Sequence, residues 1–249
     1  MLRSERFQEI TDILDRNSSI KVSKLAELIH VSPATLRRDL VAMEKQGLVK
    51  REYGGVMLAH CADNPRLPFY LREQDNREEK KQIAALAIKE VKENSVIFLD
   101  GSSISHLMLH SLVNFKQLTI VSNSVSLCYQ LVESGMNVYC IGGRLAFKDY
   151  IFVGSYAEQI VAQMRFDTLF FSSSGLTPEG QITGYLEPSV SFLKKAMKQA
   201  DRSVYLVDAS RIGRTSMHTI CDVANVDKII CNKPLPKTIL DRVGKNRTK

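Results

Sequence analysis

The sequence predicts an α/β chain in two parts: an N-terminal winged helix-turn-helix, then a larger α/β domain with a mostly parallel sheet flanked by helices. Three observations predict it. Residues 1–57 hold three amphipathic helical segments followed by two short strand-like runs around glycines. Residues 77–249 alternate short β-type apolar runs with helical ones. Between them, residues 58–76 carry two prolines and no steady period, which reads as a linker.

The first segment, RSERFQEITDILDR, sets Phe7, Ile10, Ile13 and Leu14 on one helical face. After NSSIKV, Ser23 is the expected N-cap of a second helix that packs Leu25, Leu28 and Ile29. The third has the strongest local signals, with Ser32 as N-cap, Pro33 in the first helical position, Leu36, Leu40 and Met43 on one face, and Gly47 as the stop. LVKREYGGVML then reads as a hairpin turning at Tyr53, Gly54 and Gly55. Beyond the linker, a helix in REEKKQIAALAIKEV precedes six strand-like runs: VIFLD, LTIVS, NVYCI, DTLFFS, SVYLVD and KIICN.

Composition narrows the function classes. With 44% apolar and 24% charged residues the chain can bury a sizeable core. It contains no apolar run of the roughly 18 residues a membrane span needs. Its N-terminus lacks a signal peptide's uninterrupted apolar segment, so a cytoplasmic protein without membrane partners is expected. The five cysteines show no C-x-x-C pair, and their apolar surroundings, as in VYCIGG, predict reduced core thiols, with no disulfide and no metal site. Of the net charge of +7, residues 233–249 hold six Lys/Arg against one Asp/Glu, so most of the basicity is a tail and is weak support for nucleic-acid binding.

The third helix is more informative. Ala34, Thr35, Arg37 and Arg38 lie in its first turns, where the second helix of a helix-turn-helix enters the major groove. Arg pairs bidentately with guanine, and Thr meets a phosphate or a thymine methyl. Lys50 and Arg51 on the wing suit phosphates, and Asp39 either orients an arginine or holds the helix to its neighbours. A merely solvated basic face is the alternative.

Arg6, Ile10, Leu14, Ser32, Thr35, Leu36, Arg37, Arg38, Asp39 and Leu40, at this spacing, resemble the signature of the DeoR family of bacterial transcription repressors. The resemblance covers nearly the whole chain. It implies a homo-oligomer, dimer or tetramer, that binds double-stranded operator DNA, with Ser32, Ala34, Thr35, Arg37, Arg38, Lys50 and Arg51 as the candidate contacts. It also implies a C-terminal domain related in fold to ribose-5-phosphate isomerase, which senses a phosphorylated sugar and relieves repression of a carbohydrate operon.

In that domain the turn Asp100, Gly101, Ser102, Ser103 follows a strand and opens a helix at 104–113, offering amides and hydroxyls to an anion at the helix's positive end. A simple N-cap at Ser102 or Ser103 accounts for the same residues, and the family's D-x-G-T-T favours a ligand. Ser122, Asn123 and Ser124 follow the next strand, matching the family's T-N, and Gly142, Gly143 and Arg144 follow the third. Ligands of open α/β sheets sit at the carboxyl ends of strands, so the three turns are expected to share one crevice. Gly175, Lys194 and Asp208 come from looser family matches, with ordinary surface charge or turn capping as the alternatives for the last two.

Three positions depart from the family pattern: Ile104 replaces a Thr, Val190 a Glu and Arg211 a Lys. Ile104 and Val190 remove hydrogen-bonding groups, which opens a rival reading in which the domain only oligomerises. A second rival is a sugar-phosphate isomerase, which needs a base near a carbon acid. Val190 stands where the family's Glu would be, and His106 reads as a helix-surface residue. No catalytic residue and no cofactor is expected.

Overall fold

The computed structural model describes residues 3–15, 17, 19–52, 55–58, 69–146 and 148–244. They form two compact units, Met1–Asp75 and Asn76–Lys249.

In the first unit α1 (Arg3–Asp15), β1 (Ile20–Lys21), α2 (Val22–Leu28), α3 (Pro33–Lys45), β2 (Val49–Glu52), β3 (Gly55–Leu58) and α4 (Phe69–Gln74) follow one another. Strand β3 pairs antiparallel with both β2 and β1, so the expected hairpin gains a third, two-residue strand. Its turn, at Tyr53 and Gly54, lies outside the described residues. Apolar faces converge on a core of Ile10, Leu14, Leu25, Ile29, Leu36, Leu40, Met43 and Val56, as the helical period requires. Gly47 ends α3 with φ +70, a conformation that favours glycine.

Three expectations are corrected here. Helix α2 begins before Ser23, because Lys21, held extended by its pairing to β3, occupies the cap position without a side-chain bond. Leu28 is exposed, lying past the edge of the stripe that buries Leu25 and Ala26. The stretch read as irregular linker contains α4, whose Leu71 joins this unit's core.

The second unit opens with α5 (Arg77–Ile88). Six strands follow at β4 (Val96–Leu99), β5 (Thr119–Ser122), β6 (Asn137–Cys140), β9 (Phe166–Phe171), β12 (Ala200–Val207) and β14 (Lys228–Cys231). Every strand run read from the sequence is there. Their order is β14-β12-β9-β4-β5-β6, and each neighbouring pair is parallel. The remaining elements are α6 (Ser103–Leu112), α7 (Val125–Glu133), β7 (Arg144–Ala146), β8 (Ile151–Val153), α8 (Ser155–Val161), β10 (Gly175–Leu176), β11 (Gln181–Gly184), α9 (Glu187–Met197), β13 (His218–Asp222) and α10 (Lys237–Leu240). Of these, β7 and β8 form a hairpin, and β10, β11 and β13 a small antiparallel sheet.

Because side chains alternate across a strand, each face of the parallel sheet has its own core. Ile97, Leu99, Ile120 and Leu206 pack with Ile83, Met108 and Leu127 from α5, α6 and α7. Phe98, Phe171, Tyr205 and Val207 pack with Ala157 and Phe192 from α8 and α9. Phe98 sits 5.3 Å from Phe166 and 5.9 Å from Phe192, ring to ring, contacts that add about 0.5–1.5 kcal/mol each beyond area burial. The chain runs outward through β4, β5 and β6 and then returns to place β9 against the other side of β4. The carboxyl ends of β4 and β9 therefore mark the topological switch point, where such sheets take ligands.

Candidate functional site

Helix α3 presents its candidate residues much as its period demands. The Ser32 hydroxyl accepts the Thr35 amide at 3.1 Å and lies 2.9 Å from the Thr35 hydroxyl, closing the cap. Leu36 and Leu40 turn inward, which leaves Ala34, Arg37 and Arg38 exposed. Asp39 is buried and receives Arg6 at 2.8 Å and Arg3 at 3.4 Å, so it ties α3 to α1 and does not orient either arginine beside it. Neither Arg37 nor Arg38 makes an ion pair with a described residue. On the wing Lys50 is exposed, while Arg51 donates to Glu44 of α3 at 2.8 Å and is already engaged within the fold.

The turn after β4 is more tightly bonded. Asp100 Oδ2 accepts the Ser172 amide from the end of β9 at 2.7 Å, bridging the switch point. Its Oδ1 accepts the Ser102 amide at 3.2 Å and the Ser105 hydroxyl at 2.6 Å. Burial raises the Asp100 carboxyl above its ordinary value against these donors. Ser102 caps α6 by accepting the Ser105 amide at 3.2 Å, and Ser103 is buried. The amides of Ser103 and Ile104, in the first turn of α6, meet no acceptor among the described residues. Both lie at the helix's positive end, in residues that are themselves buried.

The second turn joins the first. Ser122, Asn123 and Ser124 are buried, with Ser124 capping α7 through the Leu127 amide at 3.3 Å. His106 bridges the two turns. Its Nδ1–H donates to the Ser102 carbonyl at 2.9 Å, which leaves Nε2 to accept the Ser126 hydroxyl at 2.9 Å. The expectation of a helix-surface histidine is thus corrected, because α6 buries the face toward α7.

The third turn does not join as a phosphate loop. Gly143 lies against α8, where a Cβ would stand 3.0 Å from Ala157 Cβ, and exposed Arg144 starts β7. Hairpin β7–β8 instead folds back over the other turns. Phe152 donates its amide to Asn123 at 2.7 Å, Asn123 Nδ2 donates to the Phe152 carbonyl at 2.9 Å, and Val125 donates to Tyr150 at 2.9 Å. A Cβ on Gly101 would meet Ile151 Cγ2 at 2.1 Å, so only glycine allows this approach. A Cβ on Gly142 would meet nothing within 4 Å.

Asp208, Gly175 and Lys194 go elsewhere. Asp208 is the N-cap of a short 3₁₀ turn, accepting the Ser210 amide at 3.1 Å, and pairs with buried Arg211 at 3.5 Å. Gly175 is packed under the Arg214 carbonyl, 2.5 Å from where a Cβ would be. Lys194 is exposed beside Met197, Ile220, Cys221 and Asn225, in a groove that contains none of the other candidates. The structure therefore unites turns 100–103 and 122–124, and it separates Lys194 from them.

Residues 6–61 match the DeoR-like helix-turn-helix domain, and residues 75–233 match the DeoR C terminal sensor domain. The chain belongs to the DeoR family. It is 25% identical over 241 residues to the glycerol-3-phosphate regulon repressor of Escherichia coli, covering 96% of this chain and 95% of that protein. It is 26% identical over 233 residues to the lactose phosphotransferase system repressor of Staphylococcus epidermidis, covering 92% of each. Ribose 5-phosphate isomerase from Plasmodium falciparum superposes with a TM-score of 0.42 at 14% identity over 55% of this chain and 53% of that chain, a likeness too slight to carry an argument. No helix among the described residues is long and apolar enough to cross a membrane.

For a DeoR-family chain, the three departures now have definite places. Ile104 is buried in the core under α5 and α6, and Val190 in the opposite core, packed against Gly184. Both side chains belong to these cores, and Ser105, one residue on from Ile104, supplies the hydroxyl that Asp100 takes. Reading the crevice from sequence missed Ser105, His106, Ser126, Ser172 and β8. The S-x-S spacing at 124–126 and the helical offset of His106 from Ser102 were available signals, but nothing local announces that β8 folds back.

Proposed function

We propose that this DeoR-family regulator represses a carbohydrate-use operon and that a phosphorylated sugar releases it. In this reading residues 1–57 are the DNA-binding head, 58–76 the connection and 77–249 the sensing and oligomerising domain. Arg37 and Arg38 read base edges, Ala34 and Thr35 approach the groove, and Ser32 and Lys50 meet phosphates. Arg51 reaches a phosphate by leaving Glu44. A cytoplasmic dimer or tetramer sets two heads on paired half-sites.

The observation that carries the reading is the contrast around Asp39. A buried carboxylate is committed to α1, while both arginines beside it stay exposed on a capped helix and make no ion pair with a described residue. The effector is assigned to turns 100–103 and 122–124, where the Ser103 and Ile104 amides offer an anion site at the switch point. Two observations disfavour the rivals. Ile104 and Val190, which suggested a lost effector site, lie in apolar cores. Asp100 and Asp208, the carboxylates an isomerase would use as base, are engaged by backbone and hydroxyl donors.

The test is operator binding on the DNA upstream of the gene, with and without a panel of phosphosugars, alongside thermal stability. An effector at about 100 times its Kd stabilises by roughly 2.7 kcal/mol, and by reciprocity operator DNA weakens the sugar by the same factor that the sugar weakens operator. Operator binding unchanged by any sugar that stabilises the protein would sink the effector assignment, and turnover of a pentose or hexose phosphate would sink the non-enzyme reading.

A further inference from the structure

Four of the five cysteines are described, and two of them meet beneath turn 122–124. Cys128 is buried on α7, and its thiol donates to the Ser122 carbonyl at 3.7 Å. In the parallel register of β5 and β6, the residue paired with Ser122 is Cys140. Strand alternation puts Cys140 on the same face as Val138, which packs on the core that α7 covers. The Ser122 carbonyl that Cys128 meets also accepts the amide of Ile141, next to Cys140, so the two thiols are neighbours and each shifts the other's ionisation. Cys140 is exposed on the edge strand, so the expectation that all these thiols lie in a core fails there. An edge strand is covered on one side of its backbone only, and the apolar run VYCIGG gave no sign that its cysteine sits on that edge.

The two thiols differ as a nucleophile and its resolving partner do. The neighbouring Cys128 thiol favours the Cys140 thiolate and lowers its pKa to about 7, while Cys140, together with burial, pushes Cys128 up. Solvent reaches only Cys140.

We infer that Cys140 is a hydroperoxide-reactive modification site and that Cys128 resolves it to an intrachain disulfide. The Cys140 thiolate attacks one peroxide oxygen, forming a sulfenic acid as the O–O bond breaks, and the departing hydroxide takes a proton to become water. The Cys128 sulfur then attacks the Cys140 sulfur. The S–O bond breaks, and the hydroxyl leaves with the Cys128 proton as a second water. Two thiols are oxidised by two electrons and one hydroperoxide is reduced. The product ties α7 to β6 and withdraws the Cys128 proton from the Ser122 carbonyl at the foot of the turn.

The experiment treats the reduced full chain with one equivalent of hydrogen peroxide, alkylates the remaining thiols and maps them by mass spectrometry without reduction. The expected product is a peptide pair joined through Cys128 and Cys140, lost on adding dithiothreitol. Its rate of formation rises about tenfold per pH unit below pH 7 and levels off above it, as thiolate attack requires. Cys128→Ser should leave a dimedone-trappable sulfenic acid on Cys140, and Cys140→Ser should abolish the rapid phase. The mapping in the wild-type chain decides alone if a variant fails to fold. Cys140 recovered as free thiol after the peroxide is consumed, or joined to a cysteine other than Cys128, overturns the inference.

Discussion

Helix α3 and the strand-end turns use the same polar alphabet in opposite ways. In α3 the arginines at 37 and 38 make no ion pair with a described residue, and folding there is carried by Leu36, Leu40, the Ser32 cap and the buried Asp39. In the turns, Asp100, Ser102, Ser105, His106 and Ser124 are the fold: each bonds another, and removing one leaves buried partners unpaired. Where binding residues are surplus to folding, affinity and stability are separable. Where they are part of it, they are coupled.

The largest test of that contrast is Asp100→Ala. It strands the Ser172 and Ser102 amides and the Ser105 hydroxyl, and is expected to lower unfolding stability by about 3 kcal/mol in urea titrations and to remove any phosphosugar response with it. A variant of full stability that lost only the response would break the comparison.

Arg37→Ala or Arg38→Ala should do the reverse. Operator affinity falls by about 1–3 kcal/mol where the residue reads a base, measured by fluorescence anisotropy, while stability stays within about 0.5 kcal/mol of wild type. Unchanged operator affinity in both variants removes the recognition-helix assignment.

A matched pair sharpens the difference. Ser32→Ala and Ser102→Ala each delete an N-cap and should each destabilise by about 1 kcal/mol. In titrations of each variant, only the second should also weaken the sugar, because only there does the cap border the amides proposed to bind it.

The smallest effect is a control at the opposite edge of the sheet. Glu90 receives Arg202 and Lys228 at 2.6 Å each, beside the amino ends of β12 and β14. Burial raises its carboxyl, but the hydrogen bonds from Lys228 and Arg202 more than reverse this and hold it below its ordinary value. Its contribution is thus present above about pH 4.3 and lost as pH falls through the lower folded value. Glu90→Gln should cost about 0.5 kcal/mol at neutral pH, the difference should fade in acid, and the sugar response should be intact.

Much of this was legible without coordinates. All six parallel strands, the three helices of the head, the Ser32 cap and the exposure of Arg37 and Arg38 follow from period and capping chemistry, which are local rules that act within a few residues. The resemblance of residues 6–40 to the DeoR signature added the expected partners, and the family matches bear out the membership.

What stayed hidden depends on residues far apart in the chain. Ile104 looked like a missing hydroxyl, because sequence cannot tell that helix α6 turns that position into the core and Ser105 toward Asp100. The GGR turn looked like a phosphate loop, because β8 must return before its hydrogen bonds to Asn123 exist. The bond from Asp100 to Ser172 spans 72 residues and forms only once β9 takes its place beside β4. By itself, then, the sequence determined the six parallel strands, the three helices of the head and the family. The tertiary structure alone decided which polar groups at the switch point are occupied and which amides meet no acceptor among the described residues, because that depends on strand order and on a hairpin folding back.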